Sequence, residues 1–474
     1  MKNLLNALKK AATSKVLIFA IATAAMFAIS YSIDLLSTSG DAQETWLVAK
    51  TFFSDNKYYS YVMYKGIYAF LPSVIDLKLS ALLHIPEQLI TKLFNALCFG
   101  YVGAYGIPGL INSIYPNKKT SLAQRYLLIA LLLVFERNIN YILSVDMISC
   151  AMLFALCNCA IRVAKSDELK FSQFILLGIL TGLNLCFSGQ FLFSAVIVSG
   201  AAIIRVFVKH FKKYGFKSFK KHGALIAAML LFAVSYVISH LPNDAYFTYV
   251  VDPARESGAW IPTGGDWIIN GLSQNLLLIN YPYQVPDNLS MSFIPADQLE
   301  YVKSGGLIYD YFSYIKLIIS HPIHFAIRWS ERLYLGVMND PKNTIALSPK
   351  YPYLWMIAMS AIVYSLFAKL KDKFKKYRDF ISIDAAIFLA FLMSALVPSF
   401  GHVENRYFFT MRCFIYGVFA ISPYLNETFE NLKSKLKNRT IEPISWRFFE
   451  GLIFMLLSLI IYTALYQSAG IINF

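Results

Sequence analysis

The chain has 474 residues, of which 57% are hydrophobic and only 15% are charged, and its formal net charge at pH 7 is +15. Because soluble domains carry about 25% charged residues, this composition excludes a soluble globular protein and indicates an integral membrane protein. The basic residues are divided among several loops and no folded basic domain holds them, which argues against nucleic acid as a partner and favours contact with anionic membrane lipid.

Apolar blocks long enough to cross a bilayer recur along the chain. About 20 residues of helix cross roughly 30 Å of hydrocarbon. The predicted fold class is an all-α polytopic membrane protein with about 11 transmembrane helices, in a range of about 10 to 13. The predicted spans are 15–36, 88–112, 124–136, 143–163, 171–187, 189–208, 223–241, 352–369, 382–400, 408–425 and 449–468.

Clusters of lysine and arginine predict the orientation of these spans, because cytoplasmic loops collect basic residues. With a cytoplasmic N-terminus every basic cluster falls inside; the clusters lie at the N-terminus, near 118 and 164, and at 209–221, 369–378 and 431–439. Two long segments, 37–87 and 242–351, are then outside. The predicted organisation is an N-terminal transmembrane module (1–241) containing the first outside loop, a large outside loop (242–351) and a C-terminal transmembrane module (352–474). Amphipathic surface helices are expected in both outside loops.

The chain shows no P-loop, zincin or nucleophile-elbow signature. The first apolar run lacks a small-x-small cleavage site and reads as a retained span. Chemistry is therefore expected from ionisable residues at the membrane boundary, where a charge is costly and is a functional candidate.

The first candidate is STSGDAQETW, residues 37–46, directly after the first span. Asp41 and Glu44 are three residues apart, so both carboxylates face the same way if a helix continues after Gly40. Such a pair suits a base together with a metal or hydrogen-bond anchor. The alternative is a solvated loop start with Asp41 as a helix N-cap.

Two further candidates lie in later segments. Asp146 is an acid near the outer end of an otherwise apolar helix; a helix cap or an ion pair with Arg137 is the structural alternative. SHPIHFAIRWSERLYLG, residues 320–336, is an amphipathic stretch with Arg328, Glu331 and Arg332 on one helical face. It is predicted to lie along the membrane surface, which by itself implies no catalysis.

The last candidate is GHVENRYFF, residues 401–409, between two predicted spans. His402 and Arg406 share a face in a helical turn, and Glu404 joins them in an extended one. Arg406 offers a planar fork suited to a phosphate at headgroup level. The alternatives are a Glu404–Arg406 ion pair that joins two helices and, for His402, an ordinary interfacial histidine.

Together, the GD-x-x-E segment after the first span, the acid in a later helix, the amphipathic HP-x-x-F-x-x-R-x-x-x-R-L segment and the late H-x-E-N-R-Y turn resemble the GT-C membrane glycosyltransferases. These enzymes use polyprenyl-phosphate sugars as donors. The resemblance covers most of the chain in order and topology through short motifs. Bacterial relatives include mannosyltransferase-like and aminoarabinose-transferase-like proteins and the serotype-converting glucosyltransferases that modify O-antigen.

The resemblance implies roles for individual residues. Asp41 matches the family's acid in the first outside loop, a catalytic base or acceptor-orienting group, and Glu44 stands where relatives keep a second helper. The usual adjacent Asp-Glu pair is absent because Ala42 follows Asp41, which leaves open whether Mg²⁺ or Mn²⁺ is required. The late motif implies contact of Glu404, Arg406 and Tyr407 with the lipid phosphate.

The implied function is inverting transfer of a sugar from a donor such as undecaprenyl-phosphate sugar to a lipid-linked or surface glycan, O-antigen or lipopolysaccharide, at the periplasmic face of a bacterial inner membrane. The large outside loop would receive the acceptor, and Trp260 and Trp267 are candidates for stacking on carbohydrate or for ordinary packing on the membrane. Two alternatives remain: an O-antigen polymerase or ligase that relies on arginine and histidine in that loop, and a many-spanning transporter or flippase.

Overall fold

The computed structural model describes the chain over a set of separate segments. These are residues 14–37, 40–52, 66–115, 120–141, 145–166, 170–187, 189–215, 223–246, 311–320, 322–338, 383–399, 405–421 and 446–468, with the single positions 248 and 360. Within these segments the regular structure is helical and no strand occurs. The chain divides into two compact units, Met1–Thr263 with Tyr377–Met393, and Gly264–Lys376 with Ser394–Phe474.

The first unit begins with one apolar helix, two short helices and a long apolar helix that contains a π-turn. The helices are α1 Lys15–Tyr31, α2 Gly40–Thr51, α3 Leu71–Leu83, α4 Leu89–Tyr101, α5 Ile107–Ile114, α6 Leu122–Phe135, α7 Asp146–Lys165, α8 Phe171–Phe187, α9 Leu192–Tyr214 and α10 Ala224–Tyr246. The π-turn Val102–Gly106 joins α4 to α5. Short 3₁₀ segments occupy Leu35–Ser37, Ile67–Ala69, Arg137–Tyr141 and Gly189–Phe191.

The described helices of the second unit lie on both sides of the predicted late turn. They are α11 Tyr311–Ser320, α12 Pro322–Met338, α14 Phe409–Ile421 and α15 Trp446–Ser468. A 3₁₀ turn, Asn405–Phe408, precedes α14. Helix α13, Ile383–Ser399, has residues in both units.

The helices agree with the predicted spans wherever the two can be compared. Every predicted span except 352–369, of which only position 360 is described, overlaps a described helix. Four helical stretches are long and apolar enough by length and composition to cross a membrane: Leu89–Ile114, Asp146–Lys165, Gly189–Lys213 and Ile226–Ala245. The chain is thus a multi-pass membrane protein, and the count of eleven spans stays a prediction.

Helix α7 lies at the centre of the first unit. Its residues are buried along most of its length, and it packs against α4, α8 and α9. The rings of Phe154 on α7 and Phe391 on α13 are 4.8 Å apart between centroids. The Ser194 hydroxyl on α9 donates to the Ala390 carbonyl over 2.6 Å. The first turns of α13 therefore belong to the same helical core.

Helices α8 and α10 approach closely along a stripe of small residues. A Cβ at Gly178 would lie 3.0 Å from the Leu231 carbonyl oxygen, and one at Gly182 would lie 2.9 Å from the Ile238 Cβ. The Ser235 hydroxyl donates to the Gly178 carbonyl over 3.0 Å. Small residues four apart let membrane helices come into backbone contact, so the GILTG sequence of α8 fixes this pair.

Candidate functional site

The segment predicted to form the first outside loop contains two short helices, α2 and α3. They have 12 and 13 residues, too few to cross the hydrocarbon core. Helix α2 begins at Gly40, so Asp41 lies in its first turn and Glu44 one turn on. Helical spacing therefore links the two predicted acids, at the helix end whose dipole favours negative charge.

One face of α2 is buried and packs against the rest of the segment between α1 and α4. Ala42, Trp46 and Ala49, spaced by four and three residues, are buried, and Trp46 is only 2% exposed. The Trp46 indole donates to Glu87 over 3.3 Å, and the same carboxylate lies 3.7 Å from the Lys50 ammonium. Glu44 lies on the exposed face. Trp46 therefore anchors the helix, and Glu44 is accessible beside the first turn.

A buried carboxylate on α3 fixes the beginning of α4. Asp76 is fully buried and accepts hydrogen bonds from the Ser80 hydroxyl (2.9 Å), the Gln88 N–H (3.0 Å) and the Thr91 N–H (2.6 Å). The first N–H groups of a helix lack intrahelical acceptors, and Asp76 satisfies two of them at this end. Asp76 thereby joins α3 to the N-terminal end of α4.

The same end of α4 holds the segment that leads into α2. The Gln88 side chain donates to Asp34 over 2.8 Å and accepts from the Leu35 N–H over 2.9 Å. The Lys92 ammonium donates to the Tyr31 carbonyl, at the end of α1, over 2.9 Å. The Gln88 hydrogen bond, a backbone N–H and the Lys92 charge hold the pKa of Asp34 below its ordinary value. The chain is therefore fixed six residues before Asp41.

Asp146 is the first residue of α7 and is partly buried. An acid in the first turn is favoured by the helix dipole, which agrees with its interpretation as a helix-end residue. Two buried amides lie on elements that pack against α7: Asn95 on α4 and Asn140 in the 3₁₀ segment before α7. Neither side chain has a hydrogen-bond partner within the described part of the chain.

The late motif forms the 3₁₀ turn Asn405–Phe408 of the second unit. Arg406 and Tyr407 are partly buried, and the guanidinium carbon of Arg406 lies 5.3 Å from the centre of the Tyr407 ring. A cation over an aromatic face at this distance is electrostatically favourable. His402 and Glu404 lie outside the described residues, so the predicted Glu404–Arg406 pair stays a prediction.

A buried arginine that is not among the predicted site residues holds this turn. Arg412, in the first turn of α14, is 2% exposed. Its Nη1 lies 3.0 Å from the Gly336 carbonyl oxygen, 3.1 Å from the Asn405 carbonyl oxygen and 2.9 Å from the Asn405 side-chain oxygen. Gly336 lies in the last turn of α12, where carbonyls lack intrahelical partners. Arg412 thus links the end of α12 to the beginning of the turn.

Close packing reinforces the link between α12 and the turn. A Cβ at Gly336 would overlap the ring of Phe408, which is fully buried. The predicted amphipathic stretch 320–336 forms α12, and Arg332 and Arg328 precede Gly336 by four and eight residues on this helix. Positions four apart follow one helix face. The positions of the two predicted arginines therefore lie one and two turns before this glycine along α12.

The structure brings together some predicted site residues and leaves others apart. Asp41 and Glu44 share α2, Arg328 and Arg332 share α12, and Arg406 and Tyr407 share the 3₁₀ turn. Trp260 and Trp267 lie outside the described residues. Among the side chains that the structure describes, no three His, Cys, Asp or Glu residues come together as a metal-binding group.

The residues that fix these elements were not among those predicted from the sequence; they are Asp34, Asp76, Gln88, Lys92 and Arg412. A signal was present for three of them. Asp76 and Lys92 interrupt apolar stretches, and Arg412 is a lone cation in FTMRCFIYGVFAIS. An ionisable residue inside a span is by default a candidate with a partner to be found.

Comparison with known proteins gives little similarity in sequence. No protein-family model matches the chain, and no curated protein matches it. The chain is similar to a solved structure of the archaeal oligosaccharyltransferase AglB from Archaeoglobus fulgidus, in complex with an inhibitory peptide and a dolichol-phosphate. The two are 13% identical, with a TM-score of 0.41, over 96% of this chain and 55% of that one. The chain thus spans about half the length of this solved structure.

Proposed function

We propose that the protein is a membrane glycosyltransferase that moves a sugar from a polyprenyl-phosphate donor to a lipid-linked or surface glycan, with inversion at the anomeric carbon and with Asp41 as the base. The proposal joins the sequence resemblance to the GT-C transferases with two folded elements. One is α2 with its acidic first turn, and the other is the 3₁₀ turn with Arg406 and Tyr407.

The observation that carries the proposal is the fold of the first outside loop. Directly after the first apolar helix, the chain forms a short docked helix whose first turn contains Asp41. Trp46 anchors one face of this helix, and the hydrogen bonds of Gln88 to Asp34 and Leu35 fix the segment before it. A general base must be held at a defined place relative to its substrate. A carboxylate on a docked helix suits that task better than one on an open loop.

The cationic residues proposed to bind the donor phosphate belong to the second unit. Arg406 and Tyr407 occupy a short turn fixed by Arg412, and Arg328 and Arg332 belong to the helix that packs on this turn. Guanidinium groups bind phosphate through paired N–H donors. These residues are proposed to hold the donor phosphate and to stabilise the charge that it gains as it leaves.

The proposed reaction is a single displacement. The acceptor hydroxyl oxygen forms a bond to the anomeric carbon, the bond from that carbon to the phosphate oxygen breaks, and its electron pair stays with the departing polyprenyl phosphate. The hydroxyl proton passes to Asp41. Glu44, exposed on the same helix, is proposed to orient the acceptor. Whether Mg²⁺ or Mn²⁺ takes part is left to experiment.

The finer assignment follows the same resemblance. The donor lipid is proposed to be undecaprenyl phosphate, the acceptor O-antigen or lipopolysaccharide, and the site the periplasmic face of a bacterial inner membrane. His402 and Glu404 are proposed to contact the phosphate beside Arg406, and Trp260 and Trp267 to contact the glycan. Asp146, at the beginning of α7, is proposed to contact the substrate.

The test is transfer by the purified chain in detergent or nanodiscs. Polyprenyl-phosphate sugars are supplied with candidate lipid-linked glycans, and the product is followed by mass spectrometry with and without Mg²⁺ or Mn²⁺. Asp41→Asn is expected to lower kcat at least a hundredfold, on the scale of about 10²–10⁴ for general base catalysis. The matched control is Asp244→Asn, which removes an exposed acid near the end of α10.

Three results would count against the proposal. A correctly folded wild-type protein that transfers no sugar from any donor would overturn the transferase assignment. Full activity of Asp41→Asn would remove Asp41 as the base. Joining of whole glycan blocks without consumption of a polyprenyl-phosphate sugar would favour the polymerase or ligase alternative.

A further inference from the structure

Arg412 has an unusual position for a charged side chain. It lies in the first turn of an apolar helix, only 2% exposed, and hydrogen-bonds the backbone of two other elements. Withdrawing a guanidinium from water is costly unless its donors are satisfied. Here Nη1 alone is within 3.1 Å of three oxygen atoms.

The acceptors of Arg412 explain what the charge does. The Gly336 carbonyl belongs to the last turn of α12, the negative end of the helix dipole, where a cation is favoured. The other two acceptors belong to Asn405, the first residue of the 3₁₀ turn. A single rigid guanidinium therefore fixes the separation between the end of one helix and the beginning of the turn.

The next residue of that turn is Arg406. Because consecutive Cα atoms are about 3.8 Å apart, a displacement of Asn405 is passed directly to Arg406. The Gly336–Phe408 contact fixes the other end of the same turn. The backbone that bears Arg406 is thus held on both sides, and only the first hold depends on a charge.

We infer that Arg412 is a positioning residue for phosphate recognition. By holding Asn405 against the end of α12, it sets the place from which Arg406 presents its guanidinium to the phosphate of a polyprenyl-phosphate ligand. This inference rests on the proposed function, because it assigns the lipid phosphate to Arg406. Arg412 itself acts through Arg406 and is not assigned a contact with the substrate.

The experiment measures binding separately from transfer. The full chain in nanodiscs is titrated with polyprenyl monophosphate that carries no sugar, and KM and kcat are measured with the sugar-bearing donor. The variants are Arg412→Met, Arg412→Lys, Arg406→Ala and the double variant Arg406→Ala/Arg412→Met. Arg205→Met, which removes an exposed charge from α9, is the control for a loss of net positive charge.

Arg412→Met is expected to weaken polyprenyl phosphate binding and to raise KM about tenfold, with a smaller change in kcat, the scale of one hydrogen bond to a charged group. Arg412→Lys keeps the charge but loses the planar fork, so a partial effect is expected. In the Arg406→Ala background, Arg412→Met should change binding no further, because both act through one contact. Arg205→Met should bind as the wild type does.

Equal weakening by Arg412→Met in both backgrounds would overturn the inference, as would unchanged binding by a folded Arg412→Met. If Arg412→Met does not fold, Asn405→Ala removes only the side-chain acceptor, and unchanged binding in that variant overturns the inference. A wild type that binds polyprenyl phosphate but transfers no sugar would refute the proposed function alone. A wild type that transfers sugar but binds polyprenyl phosphate independently of Arg406 would refute the inference and the phosphate role of Arg406, and would leave the transferase assignment standing.

Discussion

Substituting Gly336 by alanine is expected to loosen the link between α12 and the 3₁₀ turn. The new Cβ would overlap the ring of Phe408, which is fully buried and cannot swing away into solvent. Either the ring or the end of α12 must therefore move. Movement of α12 lengthens the 3.0 Å hydrogen bond from Arg412 to the Gly336 carbonyl.

The magnitude follows from these two contacts. Overpacking a core by one methyl group costs about 1–3 kcal/mol, and a weakened hydrogen bond to a charged group costs about 1.5–3 kcal/mol. Alanine is a better helix former than glycine by about 1 kcal/mol, which offsets part of the loss. The net expectation is a local destabilisation of about 3 kcal/mol, more than a hundredfold in the opening equilibrium.

Cys413 provides the assay, because it is fully buried beside Arg412 and its labelling requires local opening. In a variant that retains this cysteine alone, Gly336→Ala should raise the rate of maleimide labelling about a hundredfold. The matched control is Gly200→Ala on α9, where an added Cβ meets nothing within 4 Å. Labelling of Cys413 at the wild-type rate in a folded Gly336→Ala protein would refute the packing argument.

Two other outcomes are expected in the first unit. Gly182→Leu should separate α8 from α10, because Ile238 and the Ser235 carbonyl leave no room for a side chain. The variant should therefore unfold at a lower temperature in detergent, and an unchanged unfolding temperature would contradict this packing. The Gln88 hydrogen bond lowers the pKa of Asp34 from its ordinary value of 3.8. Asp34 therefore stabilises the fold above pH 3.8, and this stabilisation is lost as the pH falls through the folded-state pKa. Asp34→Asn should therefore show a weaker loss of stability below about pH 4 than the wild type, and equal acid sensitivity of the two proteins would remove this role.

Local signals predicted most of the described helices. Span length and hydropathy are properties of a continuous segment and can be read from the sequence alone. The predicted span 171–187 coincides with α8, and the predicted amphipathic stretch 320–336 differs from α12 by two residues at each end. The helical spacing of Asp41 and Glu44 is also local, since it depends only on α2 continuing after Gly40.

The contacts that fix the ends of these helices could not be predicted from local signals in the sequence. Arg412 and Gly336 are 76 residues apart, and Lys92 and Tyr31 are 61 apart. Sequence shows that a cation interrupts an apolar run but does not show which carbonyl receives it. The glycine at 336 carries no signal of its own, because only the position of Phe408 explains why a side chain is excluded there.

In each unit, a cationic side chain satisfies a carbonyl at the C-terminal end of a helix. The last carbonyls of a helix lack intrahelical donors, and near the hydrocarbon core water cannot reliably satisfy them. In the first unit the Lys92 ammonium binds the Tyr31 carbonyl at the end of α1, and in the second the Arg412 guanidinium binds the Gly336 carbonyl at the end of α12. Each cation is favoured by the negative end of the helix dipole, and Lys92 also interacts electrostatically with the carboxylates of Asp34 and Asp76.

In both units the held backbone leads to a candidate site residue. The segment after Tyr31 enters α2 and reaches Asp41, and the turn held through Asn405 presents Arg406. A residue that must meet a substrate at the membrane boundary needs a fixed backbone where the regular spans end. A cation that binds the end of a helix supplies this rigidity next to Arg406 in the second unit. In the first unit Lys92 does so together with the acids Asp34 and Asp76, in the segment that precedes Asp41.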